Sequence, residues 1–347
     1  MAKLLHNRVN REELIQKMNE STESRTTVSF YKYHQIDNPE KFRDDLYQLL
    51  DSLGIKGRIY VAHEGINAQI SVPNENFDLF KEKIYSVDFL NNVRLNVAVD
   101  DDGKSFFKLA IKTRPKIVAD GLDDSTFNPS DTGTHLDAKN FNQLTDDPNT
   151  ILVDMRNHYE SEVGYFENAI RPDSENFRDE LKIAEEILRG QESKNIVMYC
   201  TGGIRCEKAS AWFKHKGFAN VFQLDGGIIQ YTKQVKEQNL DNKFKGVNFV
   251  FDERVSERIS EDVVSKCHQC GKPHDLHINC ANNACHLLFI QCNECATKFG
   301  NCCSTKCLDF IKLPEETKAI LRKTEIFNGI QFGKGRHKAR CSKEGLR

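Results

Sequence analysis

The chain has 347 residues, more than a single domain of ordinary size, so two or three domains are expected. A hydrophobic share of 39% supports a sizeable core and excludes wholesale disorder, while a formal net charge of −2 leaves any nucleic-acid contact to local clusters. No run approaches membrane-spanning length and residues 1–8 lack the apolar centre of a secretion signal, so a cytoplasmic protein with no membrane partner is expected.

Residues 1–25 form a polar extension with a short helical stretch at Glu12–Met18. Residues 26–118 are sharply patterned. A strand at Val28–Tyr33 precedes a helix at Pro39–Leu53 with an apolar stripe of Phe42, Leu46, Leu49 and Leu50, stopped by Gly54. Strands follow at Gly57–Ala62 and Ile66–Val72, then a helix at Asn74–Tyr85, then strands at Val93–Val99 and Phe106–Ile111. This β-α-β-β-α-β order predicts a ferredoxin-like α+β domain, a fold that serves RNA and small ligands without committing to either. His63-Glu64-Gly65-Ile66-Asn67, between two strands, is expected as a hairpin turn, with catalysis by His63 and Glu64 as the alternative. Lys112, Arg114 and Lys116 at the last strand's exit are candidate RNA-phosphate contacts or a solvated face.

A Gly- and Asp-rich linker at 119–132 leads into residues 133–237, where short apolar runs alternate with helical stretches, predicting an α/β domain with a parallel sheet. The apolar run Asn195–Tyr199 is expected as a buried strand and Cys206–Lys216 as helix, stopped by Gly217. Between them lie Cys200, Thr201, Gly202, Gly203, Ile204 and Arg205. A cysteine at a strand-to-helix junction faces free backbone N–H groups and the positive end of a helix dipole. That setting favours thiolate over thiol, so its pKa is expected below the ordinary value of about 8.5. Two glycines let the backbone curl around the sulfur, and Arg205 adds a fixed charge. Together they describe an activated nucleophile in an anion-holding cradle; a buried structural cysteine is the alternative. Asp154, Arg156 and Glu160 follow a buried strand, where parallel sheets open their ligand crevices. Arg156 is expected to brace the cradle by pairing with Glu160 or Asp154, and Cys206 to pack in the first helical turn or to resolve a persulfide.

Residues 238–347 form a cysteine-rich region with a basic tail, and nine of the chain's twelve cysteines lie between Cys267 and Cys307. Cys267/Cys270 and Cys292/Cys295 are two Cys-x-x-Cys knuckles; Cys280, Cys285, Cys302, Cys303 and Cys307 accompany them. Tetrahedral Zn²⁺ takes four thiolates from two such turns, so structural zinc is expected, with nine cysteines filling two sites and one spare, and His274 or His277 as substitutes. The grouping of ligands is open, and free or disulfide-linked cysteines packing a small subdomain are the alternative. Lys334, Arg336, Lys338 and Arg340 in the tail are candidate RNA contacts.

The Cys200–Arg205 loop, Asp154, Arg156, Glu160, Gly164 and Leu224-Asp225-Gly226-Gly227 together resemble a rhodanese-type sulfurtransferase domain over about 133–237. Tyr165 and Asn168 depart from it, standing where His and Gly are common, which makes thiosulfate a doubtful natural donor. Cysteine-dependent phosphatases carry a similar cradle with one more residue between Cys and Arg, so the shorter count here favours a sulfane sulfur over phosphate. Taken with His63–Asn67 and Cys267-His268-Gln269-Cys270-Gly271-Lys272-Pro273, the whole chain is similar to the bacterial rhodanese-related tRNA uridine hydroxylases. That resemblance implies oxygen-dependent formation of 5-hydroxyuridine at wobble position 34, with Cys200 as functional cysteine, molecular oxygen as co-substrate and the tRNA anticodon stem-loop as partner. The residues alone support a cytoplasmic sulfurtransferase beside an RNA-sized platform. A sulfur carrier with a Cys200 persulfide is therefore the second hypothesis, and a zinc-bearing RNA-binding protein with a vestigial rhodanese domain the third.

Overall fold

A computed structural model describes residues 10–327 and His337. Helix α1 (Arg11–Glu20) runs longer than its apolar pattern because Asn10 caps its start, accepting from the Glu12 N–H. Strict alternation then builds the first sheet. Along β1 (Arg25–Tyr33), β2 (Lys56–Ala62) and β3 (Gly65–Pro73), Val28, Phe30, Ile59, Val61, Ile66, Ala68 and Ile70 share one buried face. They pack on Leu46 and Leu50 of α2 (Pro39–Ser52) and on Phe80 and Ile84 of α3 (Phe77–Tyr85). Each large side chain so buried contributes about 1.5–3 kcal/mol, enough to fix the register.

With β4 (Asn96–Val97) and β5 (Leu109–Thr113) the sheet order is β4-β1-β3-β2-β5. The first four strands follow the ferredoxin-like order; β5 adds a fifth, parallel to β2. The strand expected at Val93–Val99 shrinks to two residues, since Val93 is held in a turn onto the Leu90 carbonyl. The next begins late, at Leu109, after the Lys108 carbonyl meets the Gly57 N–H. The sheet face away from α2 and α3 carries Ser29, Tyr31, Tyr60, Asn67 and Gln69, which line a cavity shared with Cys200.

In the second region, β6 (Thr134–Leu136), α4 (Ala138–Thr145), β7 (Thr150–Asp154), α5 (His158–Ser161), β8 (Gly164–Phe166), α6 (Phe177–Leu188), β9 (Asn195–Tyr199), α7 (Ile204–His215), β10 (Asn220–Leu224) and α8 (Gly227–Gln238) alternate. A parallel sheet of order β6-β10-β9-β7 results. Strand β9 is buried on both faces, Ile196 and Met198 in one core and Val197 and Tyr199 in the other, which explains its unbroken apolar run. Strand β8 leaves this sheet and pairs with β11 (Phe244–Phe249), which also pairs with β12 (Ser256–Arg258). The hairpin β13 (His277–Asn279) and β14 (Leu288–Ile290) and helices α9 (Asn293–Phe299), α10 (Thr305–Ile311) and α11 (Glu315–Thr324) complete the chain. Among the described residues no cysteine is in a disulfide, and no helix is long and apolar enough to cross a membrane.

Two ionic clamps join the first sheet and the second region. Arg94 meets both carboxylate oxygens of Asp225 at 2.5 Å. Lys208, 1% exposed, lies 2.8 Å from Glu64 Oε2 and 2.7 Å from Asp124 Oδ2. Glu64 thus acts in a hairpin turn as a structural anchor, and His63 Nδ1 contacts the Ile36 carbonyl. Lys116, a candidate RNA contact or part of a solvated face, is tied to Asp120, Asp124 and the Leu122 carbonyl, because the acidic linker folds back over it. Lys112 and Arg114 stay exposed. Removing a buried cation leaves its carboxylates unpaired at about 3–5 kcal/mol. Lys208→Met is therefore expected to lower the urea-unfolding midpoint clearly; an unchanged midpoint contradicts the clamp.

Candidate active site

The centre of the second region is the end of β9, where the chain turns into α7. Gly203 caps α7 in the left-handed conformation (φ +99°), and a Cβ there would meet the Tyr31 hydroxyl at 2.8 Å. Gly227 (φ +64°) opens α8 so close to the loop that a Cβ would lie 2.5 Å from the Cys200 carbonyl oxygen. The start of α8 fastens the loop from below, Ile228 and Ile229 N–H donating to the carbonyls of Cys200 and Thr201. The cradle is thereby set by backbone on two sides.

Cys200 is 1% exposed, and its Sγ accepts the Gly203 N–H at 3.1 Å. Burial alone pushes a thiol up. The Cys206 thiol, the Arg205 charge and the N–H groups of Arg205 and Gly203 outweigh it and bring Cys200 down to about 6. Cys206 is buried in the first turn of α7, and burial together with its bond to Cys200 pushes its own thiol up. At neutral pH Cys200 is a thiolate whose neighbour keeps its proton.

Arg205 donates through both outer nitrogens to Glu160, 2.8 Å each. A capping box on α5 delivers that carboxylate, with Glu160 Oε2 accepting the Asn157 N–H at 3.1 Å. Arg156 pairs elsewhere: its Nε and Nη2 donate to Asp154 at 2.9 and 2.7 Å, and Nη2 also to the Gly164 carbonyl. Of its two expected partners it keeps Asp154 alone, because Glu160 belongs to Arg205. The Tyr199 hydroxyl completes that lock on Asp154 at 2.7 Å. Thr201 Oγ1 reaches Asn248 of β11 at 3.5 Å, and the Ile204 carbonyl accepts the Tyr33 hydroxyl at 3.4 Å. Asn168 takes the left-handed φ of +61°, the conformation Gly would supply, and the Arg171 guanidinium sits 3.9 Å over the Tyr165 ring.

Cys200 opens onto a cavity of about 380 Å³. One wall is the loop, with Thr201, Gly202 and Arg205; the facing wall is the first sheet, with Tyr31, Tyr60, Asn67 and Gln69. A second cleft shares Tyr31, Asn96 and Gly202 with it and is lined by Lys32 and Arg94. The facing wall was missed in the sequence, although the alternation of Asn67 and Gln69 with buried Ile66, Ala68 and Ile70 signals it. Glu180 of α6 was missed too. It is fully buried with both oxygens unpartnered among the described residues, and burial, against the pull of Arg205, holds its carboxyl well above the ordinary range.

Three family models match in succession: a UPF0176 acylphosphatase-like domain over residues 25–117, a rhodanese-like domain over 137–234 and a rhodanese C-terminal model over 245–308. The tRNA uridine(34) hydroxylase of Photorhabdus laumondii is 56% identical over 337 residues, 96% of each chain. That of Pectobacterium carotovorum is 57% identical over 331 residues, 95% of this chain and 93% of its own. The Yersinia enterocolitica protein of the same name is 56% identical over 330 residues, 95% of this chain and 94% of its own. The chain belongs to the tRNA uridine(34) hydroxylase family.

In this family member the cysteine-rich region forms two four-sulfur clusters. Cys267, Cys270, Cys292 and Cys295 make one, and Cys280, Cys285, Cys303 and Cys307 the other, each with all Sγ atoms within 4.8 Å. Four thiolates around Zn²⁺ at about 2.3 Å lie about 3.8 Å apart. Cys270–Cys292 (3.6 Å), Cys285–Cys303 (3.7 Å) and Cys303–Cys307 (3.7 Å) match that edge. N–H groups of Cys292 and Cys303 donate to the Cys267 and Cys280 sulfurs at 3.4 Å each, contacts that suit metal-bound sulfur. Cys302 is the spare of the nine, outside both clusters, as are His274 and His277; it turns its carbonyl to Gln269 and Gln291. Lys334, Arg336, Lys338 and Arg340 fall outside the described residues.

The thiolate assignment has a direct readout. Alkylation of the Cys200 peptide, followed against pH by mass spectrometry, is expected to rise with a midpoint near 6. A midpoint at the ordinary thiol value of about 8.5 contradicts the cradle.

Proposed function

We propose that this chain modifies tRNA, converting the wobble uridine 34 to 5-hydroxyuridine with Cys200 at the reacting centre. The observation that carries the reading is the thiolate Cys200, shut off from bulk water yet opening onto a cavity whose far wall is a polar and aromatic sheet face. Single-stranded RNA is recognised by splaying a base out of its stack and holding it on aromatic and polar side chains. Tyr31 and Tyr60 supply the aromatics, and Arg114 lies over the Tyr60 ring at 5.6 Å. In this reading Cys200 approaches the pyrimidine ring from the loop side. Arg205, locked on Glu160, and the Gly203 N–H stabilise charge without moving. Molecular oxygen is the co-substrate in this reading: one atom is added at C5 and the other leaves as water, with two electrons drawn from an external reductant. The second reading, a sulfur carrier with a persulfide on Cys200, draws on the same Gly203 N–H aimed at the sulfur.

Both four-cysteine clusters are proposed as structural zinc sites, closed by four thiolates and therefore without an open position for chemistry. They interleave along the chain, so each metal would bridge segments a short region cannot hold together by its small core alone. Elemental analysis of anaerobically purified protein is expected to give one zinc for each cluster, with chelation lowering the melting temperature. Zinc-free protein that melts unchanged contradicts this.

For the activity, tRNA from cells lacking the protein and carrying Cys200→Ser is digested and its nucleosides weighed. Loss of 5-hydroxyuridine derivatives is expected. Normal levels of these nucleosides overturn the proposal, and loss of a 2-thio mark instead promotes the sulfur-carrier reading.

A further inference from the structure

We propose that Gln69 reads the base held against Cys200, presenting a fixed hydrogen-bond acceptor that takes the N3–H of uracil and refuses cytosine. This rests on the wobble-uridine reading above. Gln69 and Asn67 lie on β3 at alternate positions, and both line the cavity onto which Cys200 opens.

A glutamine amide can ordinarily turn over and offer either its oxygen or its NH₂. Here it is locked. The Ile117 carbonyl can only accept, and it takes the Asn67 Nδ2–H at 3.2 Å. Asn67 Oδ1 must then face Gln69, whose Nε2–H donates to it at 2.5 Å. Gln69 Oε1 is left as the group on offer, with no donor to it among the described residues. Turning either amide over sets oxygen against oxygen or NH₂ against NH₂ and breaks the relay.

The anchor is itself held. The Ile117 N–H donates to Glu64 Oε1 at 2.7 Å, and Glu64 Oε2 meets the buried Lys208 at 2.8 Å. Glu64 and Asn67 of the hairpin stretch thus grip the two sides of one residue, Ile117, and orient Gln69 from a distance. That gives the stretch a part in recognition as well as in folding.

The register completes the pattern. Across the sheet Gln69 stands between Ser29 of β1 and Arg58 of β2. Both line the same cavity; the Ser29 hydroxyl can donate or accept, and the Arg58 guanidinium already donates to the Phe251 carbonyl at 3.2 Å, so the fixed member of the row is the Gln69 acceptor. The Watson–Crick edge of uracil offers acceptor (O2), donor (N3–H), acceptor (O4). Cytosine has a lone pair at N3 in place of the N–H, and that lone pair would face the Gln69 oxygen. N3 also lies across the ring from C6. A base docked N3-first on the sheet therefore turns C6 and its neighbour C5 away from the sheet, into the cavity that Cys200 also lines.

The test uses the full chain and two anticodon stem-loop RNAs that differ only in U34 or C34, with binding followed by fluorescence anisotropy at one salt concentration. The wild-type chain is expected to prefer U34 by about tenfold or more. Gln69→Met is expected to erase that preference. Asn67→Leu, which leaves the Gln69 amide free to turn, is expected to gain C34 binding while keeping most of its U34 affinity. Melting curves of each variant report folding, so the Asn67→Leu result stands if Gln69→Met fails to fold. Equal wild-type binding of both RNAs, or a preference that survives in folded Gln69→Met or Asn67→Leu, overturns the role of Gln69 alone. Wild-type binding of neither RNA overturns the wobble-uridine reading, and this inference falls with it.

Discussion

Arg205 is gripped by both oxygens of Glu160, and the chemistry of the cradle follows from that buried pair. A guanidinium held this way cannot swing to meet a reacting group; it is a fixed charge in a low-dielectric site, where fixed donors act most strongly. Because Glu160 already answers its charge, the thiolate draws further on the N–H groups at the start of α7 and on the Cys206 thiol. Asp154 and Arg156 form a second buried pair beside the first. An uncompensated carboxylate beside these two pairs is costly, which accounts for the raised pKa of Glu180.

The cradle is half a site. Its other half is the face of the first sheet, and the two are brought together by side chains with no local reason to meet: Arg94 with Asp225, Lys208 with Glu64, Tyr31 with Glu207. Burial of Lys208 among carboxylates gains little over a well-packed apolar cluster, but it specifies one arrangement of the two walls. A cavity formed between two packed elements would hold a bound group at a set distance from the sulfur.

What could be read from the sequence was local. The Cys200 loop announces itself because Cys200, the glycines and Arg205 act through neighbours a few positions away. Apolar alternation marked β1, β2 and β3 for the same reason. The partner of Arg205 lies 45 positions from it, and spacing carries no sign of which carboxylate will arrive. The two sulfur clusters could be counted but not sorted, since their ligands interleave and only the fold separates Cys302 from Cys303. The polar face of β3 was present as a period-two pattern, yet nothing along the chain says that it meets Cys200.

The central claim is that an unstacked wobble base enters the space between the Cys200 loop and the first sheet. An anticodon stem-loop carrying 4-thiouridine at position 34, irradiated on the full chain and mapped by mass spectrometry, measures where that base rests. The account predicts adducts on Tyr31, Tyr60 or the Cys200 loop peptide, competed away by unmodified RNA. Efficient, competable adducts confined to residues outside the cavity contradict it.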